Sequence, residues 1–487
     1  MDRKWRALVI VCVAIFMLLL DITVVNVALP NIQRELHTSF TDLQWVVDAY
    51  ALTLATCMLN AGSLGDLLGR KRVFIAGVVL FTAASAACGA ATSPLFLNLA
   101  RGAQGIGGAI MFAVSLAILS QEFHGRERGT AFGIWGATVG AAVAIGPLVG
   151  GALTTWAGWR WIFFVNLPIG VACVLGALAY LHESRDEERG GFDLPGFALF
   201  TGGLFTLVLA LLRGDDWHWG SGRELGLFAA AAALLSTFVL VEWRQESPML
   251  DIRLFRKPAF TGAQLVVFAI SSAMFSQFLY LVLYLQNYLG YSPIGAGVRF
   301  LPLSVLSFVA APIAGRLSTR FPVRLILGVG MTLIGAALLV MHGVQPGSRW
   351  TVLLPGFILG GIGIGTVNAP LTATAVSVVE PRRAGMASGI NNTFRQVGIA
   401  TGIAALGAIL QSRIASHGTP HGLVKVVASG HFPPFHVAAL HRAFIAGLQD
   451  ILLVAAFVAF AGALFALVLV RRNDFVASAP QTAAGQP

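Results

Sequence analysis

The stretch Gly62-Ser-Leu-Gly-Asp66-Leu-Leu-Gly69-Arg70-Lys71-Arg72 is a short polar turn between two long apolar runs. A related stretch, Gly315-Arg316-Leu317-Ser318-Thr319-Arg320, follows 253 residues later, counted from the first glycine of each, in the same setting. Both stretches open on Gly-x-Leu and close on basic residues, but the second has Thr319 where the first has Asp66. A loop motif that recurs between apolar runs indicates a chain built from two similar halves.

The composition places these halves in a membrane. Of the 487 residues, 56% are hydrophobic and 11% are charged, whereas an average soluble domain carries about 25% charge. A helix needs about 20 apolar residues to cross a bilayer, and lipid offers no partners for an exposed backbone. The predicted fold class is therefore an all-α membrane protein with fourteen transmembrane helices, at 6–29, 43–64, 73–92, 95–119, 130–152, 161–181, 195–212, 224–243, 260–282, 298–317, 322–342, 351–374, 385–410 and 445–470.

The repeat divides the fourteen spans into two six-helix bundles around a central pair. We expect an N-terminal bundle at 1–190, a two-helix insertion with a cytoplasmic linker at 191–258, and a C-terminal bundle at 259–487. Two similar bundles are the architecture of transporters that alternate access to a central site.

Lysine and arginine are distributed unevenly between the two sides of the membrane. The loops on the N-terminal side hold 21 of the 32 basic residues and the opposite loops hold 9. The positive-inside rule therefore predicts a multi-pass protein of the cell (inner) membrane with both termini in the cytoplasm. The same bias accounts for the net charge of +10, so the lipid bilayer is the expected partner and nucleic acid is not.

Cysteines and histidines predict no metal site. The four cysteines fall inside predicted spans without metal-ligand spacing. Five histidines cluster in the outer loop before the last span, where irregular spacing favours a solvated loop over a metal or pH-sensing site: His417, His421, His431, His436 and His441.

Three charged side chains of the N-terminal half lie at similar depth inside predicted spans. At 1.5 Å per residue, Asp21 lies ~12 Å, Arg101 ~9 Å and Asp48 ~8 Å from the outer end of its span. A charge at the bilayer centre costs roughly 2.5 to 3.5 kcal/mol on insertion scales, so it faces a cavity or a partner. A carboxylate beside an arginine can alternate between ionised and protonated forms. We therefore predict proton coupling at Asp21 and Arg101 with Asp48 as a modulator; a structural ion pair is the alternative.

The first loop motif resembles the signature of the major facilitator superfamily, Gly-x-Leu-Ala-Asp-Arg-x-Gly-Arg-Lys/Arg, with Gly65 for the usual Ala and Leu67 for the usual Arg. The resemblance implies that the acid and the basic residues after it latch the two halves on the cytoplasmic side. The gate residues implied are Asp66, Gly69, Arg70, Lys71 and Arg72.

Further stretches resemble the fourteen-helix drug:proton antiporter branch of that superfamily, the EmrB/QacA type. Leu20-Asp21-Ile-Thr23-Val-Val-Asn26-Val-Ala28-Leu29-Pro30 resembles its helix 1 signature, and residues 97–109 are similar to its helix 4 motif. Residues 133–151 look like its helix 5 antiporter motif, which implies export. The motif residues are Gly146, Pro147, Gly150 and Gly151, whose small side chains also let a neighbouring helix approach closely.

Polar and aromatic side chains inside the spans predict a substrate cavity, formed by Asn26, Gln104, Gln277, Tyr280, Tyr284, Asn368, Asn392 and Arg395. Gln277, Tyr280 and Tyr284 share one helical face, for which simple packing is the alternative. Arg395 is the deeply placed charge of the C-terminal half. Members of the resembled branch that handle divalent organic cations tend to carry additional buried acids in this half, so the resemblance implies monovalent cationic, neutral or anionic substrates here.

The predicted function is proton-coupled efflux of small amphipathic compounds or drugs by alternating access. Protons are the coupling ion, no cofactor is expected, and a small molecule is the substrate. A dedicated metabolite transporter of the same fold, either an exporter or a proton symporter, is the alternative. The resemblance adds a periplasmic adaptor protein as a partner, as in some relatives. Nothing resembles a nucleotide loop or a catalytic triad, so no enzyme is predicted.

Overall fold

The computed structural model consists of long helices joined by short turns. It describes residues 2–37, 40–185, 193–217, 220–245, 250–318, 320–379, 384–430, 432–433 and 437–471. The α-helices are α1 (Arg3–Leu36), α2 (Phe40–Leu68), α3 (Arg70–Gly89), α4 (Pro94–Glu122), α5 (Gly125–Trp156), α6 (Trp161–Phe164), α7 (Asn166–Tyr180), α8 (Leu194–Trp217), α9 (Gly222–Arg244), α10 (Pro258–Ile270), α11 (Ser276–Leu283), α12 (Pro293–Leu317), α13 (Val323–Met341), α14 (Leu354–Ser377), α15 (Ala384–Ser416), α16 (His421–Ala428) and α17 (Val437–Leu469).

Length and hydropathy decide how many of these helices can cross a membrane. Among the described residues, 12 helices are long and apolar enough, and a thirteenth is added if the bent α2 counts as one span. The fourteen-helix prediction is therefore not confirmed. The predicted seventh span, at 195–212, corresponds to α8, which is one of the 12. Helix α5, 32 residues long, is not among them.

Local sequence explains where several helices begin. The hydroxyl of Ser93 accepts a hydrogen bond from the amide of Phe96, and a proline follows in the first turn of α4. Ser292 caps α12 in the same way, accepting from the amide of Gly295 at 3.1 Å. A serine at this position satisfies an amide that has no partner within the helix, and a proline has no amide to satisfy.

The helices form two groups. Helices α1 to α7 pack on one another and are called here the N-terminal group; α10 to α17 do the same and form the C-terminal group. Helices α8 and α9 pair with each other, and α8 lies against α2 and α15, one helix from each group. An apolar cluster containing Leu52, Phe200, Val208 and Ile390 fills this junction. Helix α8 thus covers one seam between the groups.

One side of the molecule collects the start of α1, the end of α7 and the start of α5. There Arg3 donates to the carbonyl of Tyr180 at 3.1 Å, and Lys4 pairs with Glu127 at 2.8 Å. We call this the N-terminal side.

Helix α5 occupies the other seam. A Cβ added to Gly150 would lie 3.0 Å from the Cα of Val24 in α1, and one added to Gly133 would lie 2.9 Å from the Cα of Pro312 in α12. Small residues on both faces therefore let α5 approach the backbones of both groups.

Replacing Gly150 by leucine tests this packing. The added side chain meets backbone atoms of α1, so we expect transport to fall strongly while the protein still reaches the membrane. The measurement is drug accumulation in whole cells, normalised to membrane protein on an immunoblot. Gly136→Ala is the matched control, because its Cβ would find its nearest neighbour at 3.8 Å. Unchanged efflux by Gly150→Leu would refute the close contact.

Candidate functional site: a buried carboxylate and a latch

The first loop motif forms a buried ion pair at the end of α2. Oδ1 of Asp66 accepts hydrogen bonds from Arg70, from Nε at 3.0 Å and from Nη2 at 2.8 Å. Nη1 of Arg70 also donates to Oε1 of Gln121 in α4 at 3.3 Å. The pair thus fixes the turn from α2 to α3 against α4.

Asp66 also joins the two groups. Its second oxygen, Oδ2, accepts a hydrogen bond from the backbone amide of Met386 at 3.0 Å. Met386 is the third residue of α15, which begins at Ala384. The first amides of a helix lack partners within the helix and carry partial positive charge. Asp66 therefore caps a helix of the C-terminal group and closes the N-terminal side of the seam.

The remaining gate residues hold α3 within the N-terminal group. Gly69 has a φ of +106°, a conformation that favours glycine. The carboxylate of Glu183 accepts from the amides of Lys71 at 3.1 Å and Arg72 at 3.3 Å, and Nζ of Lys71 donates to the carbonyl of Leu178 at 2.8 Å. Asp66 is the gate residue whose contact with the C-terminal group is described, through the Met386 amide.

A second polar cluster surrounds Asp21 in the middle of α1. The carboxylate is fully buried, and Oδ2 lies 2.5 Å from Nη1 of Arg101 in α4. Its other oxygen accepts from Nε2 of Gln104 at 2.9 Å and from Nδ2 of Asn166 in α7 at 3.1 Å. The structure thus brings the predicted Asp21, Arg101 and Gln104 together and adds Asn166.

Arg101 has partners besides Asp21. Its Nε donates to the carbonyl of Val46 in α2 at 3.0 Å, and its Nη1 donates to Oε1 of Gln104 at 2.7 Å. Its guanidinium also lies over the ring of Tyr50, with Cζ 4.2 Å from the centroid. Such a cation–π contact stabilises a buried cation. The arginine therefore remains solvated by protein groups whatever the charge on the aspartate.

Asp48 pairs with the inserted helix α8. Its Oδ2 lies 3.1 Å from Nη2 of Arg213. The guanidinium of Arg213 lies over the ring of Trp45, with Cζ 4.5 Å from the centroid. The structure thus places Asp48 in an ion pair between α2 and α8. Its role as a modulator stays a prediction.

Glycines of α5 pack directly behind Asp21. A Cβ on Gly146 would overlap the hydroxyl of Thr23, two residues beyond the carboxylate on the same helix. Gly150 makes the neighbouring close approach, to Val24. At these glycines, α5 closely approaches the helix that carries the buried carboxylate.

Gly151 faces the C-terminal group, since a Cβ there would lie 3.2 Å from Cγ1 of Ile294 in α12. The antiporter-like motif therefore contacts both groups. Two other predicted site residues, Pro147 and Asn26, have side chains outside the described part of the structure.

The aligned polar side chains of the ninth predicted span point into the C-terminal group. Each is buried, and each donates to a backbone carbonyl: Gln277 Nε2 to Ile451 at 2.9 Å, Tyr280 Oη to Ile403 at 2.6 Å, and Tyr284 Oη to Ser348 at 3.4 Å. Their place in a substrate cavity stays a prediction.

Of the other predicted cavity residues, Arg395 and Asn368 meet. Nη1 of Arg395 donates to Oδ1 of Asn368 at 3.2 Å. Asn392 instead donates to the carbonyl of Ser388 in its own helix at 3.0 Å. The structure therefore links α14 and α15 through a buried arginine.

The Major Facilitator Superfamily profile matches residues 11–403, most of the chain. The chain belongs to the major facilitator superfamily. Its relatives include the tetracenomycin C resistance and export protein of Streptomyces glaucescens, with 35% identity over 85% of this chain and 77% of the relative. The puromycin resistance protein pur8 of Streptomyces alboniger is 36% identical over 86% of this chain and 84% of its own length.

Solved structures of the same superfamily share the fold. The proton:xylose symporter XylE has a TM-score of 0.67 at 12% identity, covering 96% of each chain. The human organic anion transporter MFSD10 has a TM-score of 0.62 at 15% identity, covering 94% of this chain and 100% of its own. Family and fold together indicate a multi-pass membrane transporter rather than an enzyme.

Asn166 and Glu183 were not among the site residues predicted for this superfamily member. Asn166 had a detectable signal, because it is a polar residue inside the apolar run 161–181, just before Pro168. Glu183 had none, since an acid in a loop is ordinary. Its role depends on the position of the start of α3, which only the folded chain shows.

In this transporter, Asp66→Asn tests the latch. One oxygen of the carboxylate accepts hydrogen bonds from Arg70 and the other accepts one from the Met386 amide, whereas asparagine has one acceptor oxygen. We therefore expect transport to fall severalfold at unchanged membrane level, measured by drug efflux from preloaded cells. Asp251→Asn is the control, because Asp251 caps the short 3₁₀ helix Ile252–Arg256, where asparagine is an equally good cap. Wild-type efflux by Asp66→Asn would contradict the latch.

Proposed function

We propose that this chain exports small amphipathic compounds, antibiotics and other drugs among them, in exchange for protons. The names of its relatives describe resistance to antibiotics and, for tetracenomycin C, export. The residue on which proton coupling rests is Asp21, a fully buried carboxylate held by Arg101, Gln104 and Asn166.

The surroundings of Asp21 suit a group that gains and loses a proton. When ionised, it accepts three hydrogen bonds that tie α1 to α4 and α7. When protonated, it loses the charge-assisted part of these bonds, which is roughly half of their strength. Removing one charge of a buried ion pair normally leaves the other charge uncompensated, which is strongly destabilising. Here Arg101 keeps its contacts with Val46, Gln104 and the ring of Tyr50. Protonation of Asp21 therefore loosens α1 and still leaves the guanidinium with partners.

Movement of α1 reaches the seam between the groups through α5. Thr23 and Val24, directly after Asp21, touch Gly146 and Gly150, while Gly151 touches α12. A shift of α1 therefore displaces α5 against the C-terminal group. At the start of α15, the latch contact between Asp66 and the Met386 amide holds the N-terminal side closed until the groups rotate. This is the alternating-access cycle expected of two similar bundles around one site.

The finer architecture is also proposed. Helix α5 is 32 residues long, well above the roughly 20 needed to cross, and supports fourteen crossings and the drug:proton antiporter branch of EmrB/QacA type. The pairing of α8 with α9 beside the seam supports boundaries at 1–190, 191–258 and 259–487. The bias of 21 to 9 basic residues supports cytoplasmic termini in the cell (inner) membrane. No comparison supports a periplasmic adaptor, and none is proposed.

The first experiment identifies a substrate and the direction of transport. A strain lacking its own drug pumps is made to express the chain, and its resistance to a panel of antibiotics and dyes is compared with that of the empty strain. We expect raised resistance and lower accumulation, both abolished by a protonophore. Higher accumulation in the expressing strain would instead mean uptake, the function of a symporter of the same fold.

Asp21→Asn then tests coupling in liposomes with an imposed pH gradient, using the compound that gave the highest resistance. Because asparagine cannot carry the proton, we expect gradient-driven transport to fall to the level of protein-free liposomes. Asp450→Asn is the control, since Asp450 of α17 is also paired with an arginine, Arg413, but lies outside the predicted coupling residues. Undiminished transport by Asp21→Asn would place the coupling site elsewhere, and equal loss in both variants would indicate a general effect of removing an ion pair.

A further inference from the structure

Arg395, the buried arginine of α15, has no acidic partner among the residues that the structure describes. It is 7% exposed, and its contacts in the described part of the chain are the hydrogen bond to Asn368 and the ring of Phe275, 5.7 Å from Cζ to the centroid. Its Nε is buried and donates to no described group. Arg101, the buried arginine of α4 in the N-terminal group, is matched by Asp21. The two groups therefore differ in whether their buried cation is neutralised.

No acid of the C-terminal group neutralises Arg395 instead. Within the described helices α10 to α17, the one acid is Asp450. Its side chain is 38% exposed and pairs with Arg413 at 3.0 Å, near the far end of α15 from the latch. An unpaired cation in a membrane interior is costly, and where one is found it usually serves a ligand or ion.

Two neighbouring amides also have unused hydrogen-bonding atoms. Asn391 lies one turn before Arg395 on α15, and its Nδ2 donates to Oε1 of Gln264 in α10 at 3.4 Å. Nε2 of Gln264 and Oδ1 of Asn391 are buried without a partner among the described groups. Buried polar groups are normally satisfied. The set therefore offers two unused donors, on Arg395 and Gln264, and one unused acceptor.

The backbone beside this set is irregular. The segment Ser271–Phe275 is a π-helical turn that presents Phe275 to Arg395. Glycines of α15 let that turn approach, since a Cβ on Gly398 would lie 2.9 Å from the Cβ of Ser271 and one on Gly402 would lie 2.7 Å from the Cα of Ser272. Single π turns inside α-helices occur frequently at functional sites.

We propose that Arg395, with Gln264 and Asn391, binds an acidic group of the exported compound, a carboxylate or a phenolate. The anion supplies the missing counter-charge, Gln264 donates a second hydrogen bond, and Asn391 accepts from a hydroxyl beside the acidic group. The substrates preferred by this transporter are therefore amphipathic weak acids. This assignment rests on the proposed export function, but binding tests it separately from transport.

The probes are fluorescein, which is anionic, and rhodamine 123, a cation with the same xanthene ring system. Binding of each to the purified full-length protein in detergent is measured by fluorescence polarisation. We expect fluorescein to bind more tightly than rhodamine 123. Because a hydrogen bond to a charged group is lost, Arg395→Gln should weaken fluorescein about tenfold to hundredfold and leave rhodamine 123 unchanged or tighter.

Further variants separate charge from folding. Arg395→Lys keeps the charge and should retain part of the fluorescein affinity, whereas Gln264→Leu should weaken fluorescein without affecting rhodamine 123. Arg413→Gln removes an arginine outside the set and should bind both dyes as wild type does. The assignment is overturned if wild type binds rhodamine 123 at least as tightly, if it binds neither dye, or if Arg395→Gln weakens both dyes equally. A protein that confers resistance yet shows one of these results is an exporter without this anion site.

Discussion

The cost of a charge in lipid governs the arrangement of the N-terminal group. Asp21 is fully buried, so its charge persists only if neighbouring helices supply donors. Arg101 and Gln104 supply them from α4 and Asn166 from α7, while Val46 and Tyr50 of α2 hold the arginine. One carboxylate thereby sets the positions of four helices, and a change in its charge acts on all of them together.

Sequence reasoning identified this carboxylate because depth along a helix follows directly from residue counting. The partner of Asp48 was not predictable in the same way, because depth says nothing about direction around the helix. Val46 and Tyr50 are four residues apart, share a face and meet Arg101. Asp48 lies between them, on the opposite face, and meets Arg213. The same limit applies to Gln277, Tyr280 and Tyr284: their common face was predictable, but the helix it packs against was not.

The latch illustrates a different limit. The loop motif predicted that Asp66 joins the two halves, yet its partner there is the backbone amide of Met386. A backbone amide has no sequence signature, so only the position of the start of α15 reveals the contact. The partial positive charge of that helix start stabilises the carboxylate there.

The two groups therefore resemble each other in fold but differ in whether their buried arginine is paired with an acid. Helix α5 contacts both groups and links them. Its glycines bring backbone close to backbone at Val24 of α1 and at Pro312 of α12, which leaves little room there to absorb a displacement. A packed interface of this kind passes from one arrangement to another rather than deforming gradually. In the proposed cycle, a proton taken up on Asp21 in one group changes the access of the other, where Arg395 lies buried without a counter-charge among the described residues. No side-chain contact joins Asp21 and Arg395 in the described structure.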